Sequence, residues 1–379
     1  GSGGAAGNYG SGGGGGGVGG GGAMLSSSAK YGLISLSTMS GGAAGIGGGA
    51  PAGSNGVDGA GLHASAVSYS TVTQSLMRGT GNGAVLDTAS GFNIISLSTV
   101  IANANSALYT NNASSNIVTQ SFLQSGGSGV YMENSSNYNV ISLSTMNGPG
   151  GYGLLAIAAD WNTVTQSYVS GGFYGARLDP GSDYNTVSLS TFIGGIHGYY
   201  SNSVASNTVT QSYLWGVTDG VHLDSGSNYT AISLSTMIGN GSYGLYATGS
   251  DWNTVKQSYM RGSTRGADLD TGSAFNTVSL STMIGTTESG LYTLTATSNT
   301  VTQSYMQGAS IGAYLNNDSH YTTISLSTMI GSSIAGLDFE QTDTNTVTQS
   351  YMWGGQYGAI FAVSSEYNVI SISTMIGSS

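Results

Sequence analysis

The stretch Asn276–Gly285 reads NTVSLSTMIG, and Asn299–Gly308, one period further along, reads NTVTQSYMQG. The apolar letters at the flanks hold their places, while the middle switches from Leu-Ser-Thr to Gln-Ser-Tyr. Taking the β-branched residue as position zero, copies begin at Ile34, Val72, Ile95, Val118, Ile141, Val164, Val187, Val209, Ile232, Val255, Val278, Val301, Ile324, Val347 and Ile370. From Val72 onward the spacing is 23 residues, with one of 22 between Val187 and Val209. The first interval, 38, is one period plus a Gly-rich insertion of 15 residues within about 41–61. A fixed period of this length is the mark of a repeat architecture.

Each period holds three short apolar runs parted by turn residues. In Gly266–Gly285 they are GADL, NTVSL and STMI, with DTGS between the first two. Val, Ile, Thr and Tyr favour strands, and Gly, Asn, Asp and Ser favour turns. No apolar stripe at helical spacing occurs. Three short strands and a constant return predict an all-β parallel β-helix of about 15 coils of 23 residues. The pattern G-x-Y-L…S-x-x-N-x-I-x-x-S-x-M resembles the repeat of right-handed parallel β-helix proteins, the pectate-lyase-like superfamily, of the bacterial surface or secreted type. The resemblance covers about Ala23–Ser379 and departs from the family pattern where its second inward Asn is Ser in every coil. It implies one β-helix domain over 23–379, preceded by a Gly-rich tail over 1–22.

Side-chain parity assigns inside and outside. Positions zero and five are both apolar yet differ in parity, so a bend must fall between them, at positions one and two. Position three then returns to the interior, and it is Ser in all fifteen copies. Ser190, Ser212, Ser235, Ser258, Ser281, Ser304, Ser327 and Ser350 therefore read as an inward ladder, bonded to hydroxyls or carbonyls of stacked coils. Position minus two is Asn in eleven of the fifteen, a second ladder.

The switching positions face out. Position four alternates Thr with Tyr168, Tyr213, Tyr259, Tyr305 and Tyr351; a small residue between aromatics gives each ring room on coils about 4.8 Å apart. Position minus three carries Tyr138, Tyr184, Tyr229, Phe275, Tyr321 and Tyr367. These two stripes are the candidate contact surfaces, as ring packing at a bend or as a platform for sugar rings or a neighbouring fibre.

Of 379 residues, 64 are Gly and none is Cys, with 6 Lys+Arg against 17 Asp+Glu and a net charge of −11. Only 6% are charged, against about a quarter in an ordinary domain. Such a surface lacks the basic clusters that nucleic acid or anionic membranes need, and no stretch is apolar enough for a membrane helix. The composition suits a secreted, extracellular or cell-surface repeat protein.

Catalytic signals are sparse. Asp87, Asp179, Asp224 and Asp270 recur at one turn of alternate coils, with Glu133 or Asn316 in register; they read as solvated turns or a weak calcium row. Arg78, Arg177, Lys256, Arg261 and Arg265 form no row with them, and no long polar loop makes a pocket. His63, His197, His222 and His320 fall at four different coil positions, so no His stripe for a metal is expected. No nucleophile elbow, zinc-protease or phosphate-loop motif appears.

These readings predict no enzyme, no cofactor and no metal. The terminal copy, NVISISTMIGSS, keeps the consensus without a polar cap, and an open coil invites stacking. The leading expectation is therefore a structural subunit of a secreted extracellular filament, whose partners are copies of itself stacked end to end with help from the Gly-rich N-terminus. The alternative is a surface adhesin or carbohydrate-binding β-helix with a polysaccharide partner. A polysaccharide lyase-like enzyme comes third.

Overall fold

The computed structural model describes residues 21–26, 29–42 and 59–378. The Gly-rich tail over 1–20 and most of the insertion, 43–58 with Asp58, lie outside the described residues, as do the expectations attached to them. The chain divides into two compact units, Gly1–Arg177 and Leu178–Ser379. Among the described residues both are built of the same coil, of strands alone, winding through three parallel sheets as a β-solenoid.

One coil of the second unit shows the plan. Its strands are Arg265–Asp270, Thr277–Ser279 and Thr282–Gly285. They pair in parallel with the same strands one coil on, Ala267 opposite Leu291, Val278 opposite Val301 and Met283 opposite Met306. In the first unit Val118 lies opposite Ile141 and Leu123 opposite Met146 in the same way. The conserved register follows from the period itself, because a slip of one residue would turn every core side chain outward. The core is position zero (Ile95, Val278), position five (Met146, Met283) and the inward residues of the first sheet (Leu108, Leu291), all buried.

The bend that parity demands is a single residue in the left-handed region. Position two has φ near 50° in every coil, Leu280 at 51° and Gln303 at 48° among them. Position minus three makes a second such corner, with Tyr229 at 56°, Trp252 at 59° and Phe275 at 58°. Bulky residues rarely adopt this conformation; here their amides are held by the next coil, Phe275 N–H on Thr297 O at 3.1 Å and Leu280 N–H on Thr302 O at 3.1 Å. The return from the third strand to the next first strand is tighter still. At Gly285 and Gly308 a Cβ would lie 2.0 Å from the carbonyl oxygens of Ser289 and Ile311, so only glycine fits.

Two polar ladders line the inside of these corners. The Ser281 hydroxyl donates to Ser279 O at 2.7 Å and accepts the Ser258 N–H at 3.1 Å; the Ser281 N–H in turn reaches the Ser304 hydroxyl at 3.2 Å. The partners are thus a carbonyl of the same coil and an amide of the preceding one, with hydroxyls not bonding each other. Asn276 works similarly: Oδ1 accepts the Asn253 N–H at 2.8 Å, and Nδ2 donates to Ser250 O at 3.0 Å. At Ser281 and Asn276 the buried hydroxyl and amide groups thus each have a partner, as burial of polar groups demands.

Candidate functional site

The stripes singled out by sequence occupy different surfaces. Tyr168, Tyr213 and Tyr351 are exposed and Tyr259 and Tyr305 half-buried, each opening a strand of the third sheet between threonines, as Tyr259 does opposite Thr236 and Thr282. Tyr138, Tyr184, Tyr229, Phe275, Tyr321 and Tyr367 are exposed at the left-handed corner. Several corner rings stack on their neighbours, Tyr138 on Trp161 at 6.2 Å, Tyr229 on Trp252 at 6.3 Å and Trp252 on Phe275 at 4.3 Å, with planes within 11°. Their faces cover one another and their edges meet solvent, which suits ring packing. The serines of the inward ladder, Ser190 through Ser350, are buried.

Chemistry gathers elsewhere, on the outer face of the first sheet in the second unit. Each first-sheet strand points its first, fourth and sixth residues to this face. The fourth column runs Tyr200, His222, Tyr246, Asp268, Tyr292, Tyr314 and Asp338 on successive coils. The sixth carries Asp224, Asp270, Asn316 and Glu340, and the first carries His197, Asp219, Tyr243 and Arg265. Asp224 and Asp270 are the part of this set that recurs at a fixed place in the sequence; the types in the first and fourth columns vary from coil to coil.

The turn aspartates prove to be bonded groups. Tyr200 donates its hydroxyl to Asp224 Oδ2 at 2.9 Å, Tyr246 to Asp270 Oδ2 at 2.8 Å, and Tyr314 to Glu340. In the first unit His63 meets Asp87 Oδ2 at 2.8 Å and Tyr109 donates to Glu133. Burial and the neighbouring Glu133 push the Tyr109 phenol up to about 12; burial and Asp270 raise that of Tyr246 further. These phenols are fixed donors at neutral pH. The expectation of plainly solvated turns is corrected accordingly.

Arg265 also departs from expectation. Its guanidinium reaches Asp268 Oδ2 at 2.7 Å and Glu288 Oε2 at 2.9 Å, and its Cζ sits 3.5 Å from the Tyr292 ring centroid. A basic residue does stand among the carboxylates. Asp268 is 1% exposed; burial pushes its carboxyl up to about 7 despite the opposing pull of Arg265. Its second oxygen, Oδ1, has no hydrogen-bond partner. Burial also raises Asp338, to about 6, with help from Glu340.

At one end of this face His197, Asp219 and His222 come together, the ligand atoms all within 4.8 Å of one another. Burial by itself would raise the Asp219 carboxyl, but hydrogen bonds and charge from His197 and His222 outweigh it and hold it below the ordinary value. Reasoning from a histidine stripe missed this group. The two imidazoles occupy different columns, His197 opposite Asp219 and His222 opposite Tyr200, and meet by the short diagonal between columns.

Comparison with known proteins agrees with the fold. A family model described as "Periplasmic copper-binding protein (NosD)" matches residues 47–195 and again 122–281, together more than half of the chain. No curated protein sequence matches. Among solved structures, tailspike protein 3 of bacteriophage CBA120 is similar at TM-score 0.50 and 9% identity, over 82% of this chain and 56% of that one, so the chain spans little more than half of the tailspike's length. The A-module of Azotobacter vinelandii mannuronan C-5 epimerase AlgE4 is similar at TM-score 0.41 and 10% identity, over 94% and 90%. Alginate lyase of Paenibacillus sp. str. FPU-7 follows at 0.34 and 12%, over 68% and 92%.

The expectation that the chain is no enzyme is corrected on these findings. Enzymes stand among the similar structures, and the absence of a basic residue beside the carboxylates, on which that expectation drew, is reversed by Arg265. The chain belongs to the NosD family and has the pectate-lyase-like parallel β-helix fold.

Proposed function

We propose that the chain is a carbohydrate-binding β-helix that engages a polysaccharide along the outer face of the first sheet in the second unit, a reading that extends to lyase-like chemistry. One observation carries it: Tyr200, His222, Tyr246 and Tyr314 stand half-buried in one column, with carboxylates and Arg265 beside them. Sugars present C–H faces to aromatic rings and hydroxyls to carboxylates and guanidinium groups, and their recognition takes such a mixture. Tyr200, Tyr246 and Tyr292 recur on every second coil, about 9.6 Å apart, which gives an extended polymer repeated footholds. For lyase-like chemistry, His222 is the half-buried group of this column suited to move a proton, with Asp268 and Arg265 on the same face.

The similar structures support a polysaccharide partner over end-to-end stacking of copies. Similarity to a family described as periplasmic and to a phage tailspike supports a place outside the cytoplasm. The test is a panel of acidic and neutral polysaccharides run against the full chain in affinity electrophoresis. Tyr246→Ala and Tyr314→Ala are expected to weaken retardation by about tenfold or more, whereas Tyr259→Ala and Tyr305→Ala leave it unchanged. The opposite pattern moves the site to the third-sheet stripe, and no retardation by any polysaccharide sinks the reading. Appearance of unsaturated sugar ends, abolished by His222→Gln, would establish the lyase-like extension.

A further inference from the structure

We propose that one-electron oxidants join Tyr109 and Tyr131 as dityrosine, with Glu133 taking the phenolic protons. The bond staples two adjacent coils of a chain that has no cysteine. The inference concerns the first unit and is independent of the polysaccharide reading. Tyr109 lies opposite Tyr131 in the paired strands Ser106–Asn111 and Ser128–Glu133. The ring centroids are 5.5 Å apart, with planes at 51°. Both phenols donate to one carboxylate, Tyr109 to Glu133 Oε1 and Tyr131 to Glu133 Oε2. A single side chain therefore draws the two hydroxyls, and the ring carbons beside them, toward a common point. Val85 stands opposite Tyr109 and Leu155 opposite Tyr131 on the outer sides, which confines the contact to this pair. Both rings are half-buried, within reach of a small oxidant.

The carboxylate supplies what the chemistry asks for. A phenol that loses an electron becomes strongly acidic, so oxidation is favoured where a positioned base takes the proton in the same step. Burial and Glu133 push the Tyr109 phenol up to about 12, so the neutral phenol is the form that meets the oxidant and needs that base. Each ring passes one electron to an oxidant molecule and its hydroxyl proton through Glu133 to water. The two radicals couple by a carbon–carbon bond ortho to the oxygens, and the ring hydrogens move to the oxygens as aromaticity returns. Two electrons and two protons leave in all. The bond closes the loop 109–131 in the unfolded chain and removes its entropy, as a disulfide does.

Other tyrosine pairs are arranged differently. Arg177 Cζ lies 5.7 Å and 5.5 Å from the stacked Tyr152 and Tyr174 ring centroids, and a cation there opposes electron loss. Tyr314 donates to Glu340, but its neighbour Tyr292 accepts from Asn316 Nδ2 at 3.2 Å and has Arg265 against its ring.

The experiment oxidises the dilute full chain with photogenerated tris(bipyridyl)ruthenium(III), isolates the monomer and maps cross-linked peptides by mass spectrometry. The main product is expected to join Tyr109 to Tyr131, with the mass of two hydrogens lost, dityrosine fluorescence and a raised melting temperature. Tyr131→Phe should abolish it. Glu133→Gln, with its fold checked by circular dichroism, should slow its formation at least about tenfold and leave any Tyr152–Tyr174 product unchanged. Equal yields at Tyr109–Tyr131 and at Tyr152–Tyr174 or Tyr292–Tyr314 in the unaltered chain overturn the proposal, as does an undiminished rate in Glu133→Gln. The comparison of yields needs no variant, so it decides the matter even where a substitution prevents folding.

Discussion

Tyr246 donates its hydroxyl to Asp270 Oδ2 at 2.8 Å, from one coil to the next. The bond ties a half-buried ring of the central column to the aspartate at the strand end, and the same link joins Tyr200 to Asp224. Tyr246→Phe keeps the ring and removes the bond. We expect a loss of about 1–2 kcal/mol, as for hydrogen bonds to charged groups near a surface, read from denaturant midpoints at unchanged slope.

Asp268 gives stability a pH dependence of definite sign. Its carboxyl is raised by burial to about 7 in the folded chain, against about 3.9 unfolded. Between those values the folded state binds the extra proton, so stability falls as pH rises from about 4 to 7 and stays lower above it. Arg265, Asp270 and Asp219 all act on this group. Asp268→Asn should flatten that slope, worth up to about 4 kcal/mol; a wild type and variant with parallel stability curves across pH 4–8 would contradict the assignment.

Ser281 bridges Ser279 O and the Ser258 N–H. Ser281→Ala would strand a buried amide and a carbonyl. A cost of about 1–3 kcal/mol is expected, visible as a lower melting temperature and faster amide exchange at Ser258.

Gly308 closes the turn into the next coil, with the Ile311 carbonyl 2.0 Å from where a Cβ would stand. Gly308→Ala must move backbone on both sides. We expect a loss of more than about 3 kcal/mol or failure to fold, against at most about 1 kcal/mol for alanine at a strain-free exposed site.

Thr295 is β-branched and sits at φ 50°, where Asn112 and Asn134 stand in other coils. Asparagine tolerates this region and threonine does not. Thr295→Asn should stabilise the chain by about 0.5–1 kcal/mol, and a melting temperature equal to or below wild type would refute the strain.

How much of this was legible follows from what repeats. Val278, Ser281 and Met283 recur at one spacing, so parity alone assigns them to the interior and demands the bend at Leu280. The single-residue left-handed corner was harder to see, because Leu, Gln and Tyr are poor indicators of positive φ. Ring stacking at Trp252 and Phe275 lay within the reading of packing at a bend. His222, Asp268 and Arg265 left no periodic trace, since their columns change residue type from coil to coil. His197 and His222 meet only because parallel register sets Asp219 beside one and three residues before the other. A search for matching columns passes over such diagonals.

The phenol-to-carboxylate link also fixes the length by which such a chain can grow or shrink. Tyr200, Tyr246 and Tyr292 return every second coil, as do Asp224, Asp270 and Asn316. Excising the single coil that carries Asp270 would set Tyr246 against Leu294, while excising two would present Asn316. Removing turns in pairs therefore keeps a polar partner in front of Tyr246, where removing one turn sets an apolar side chain there.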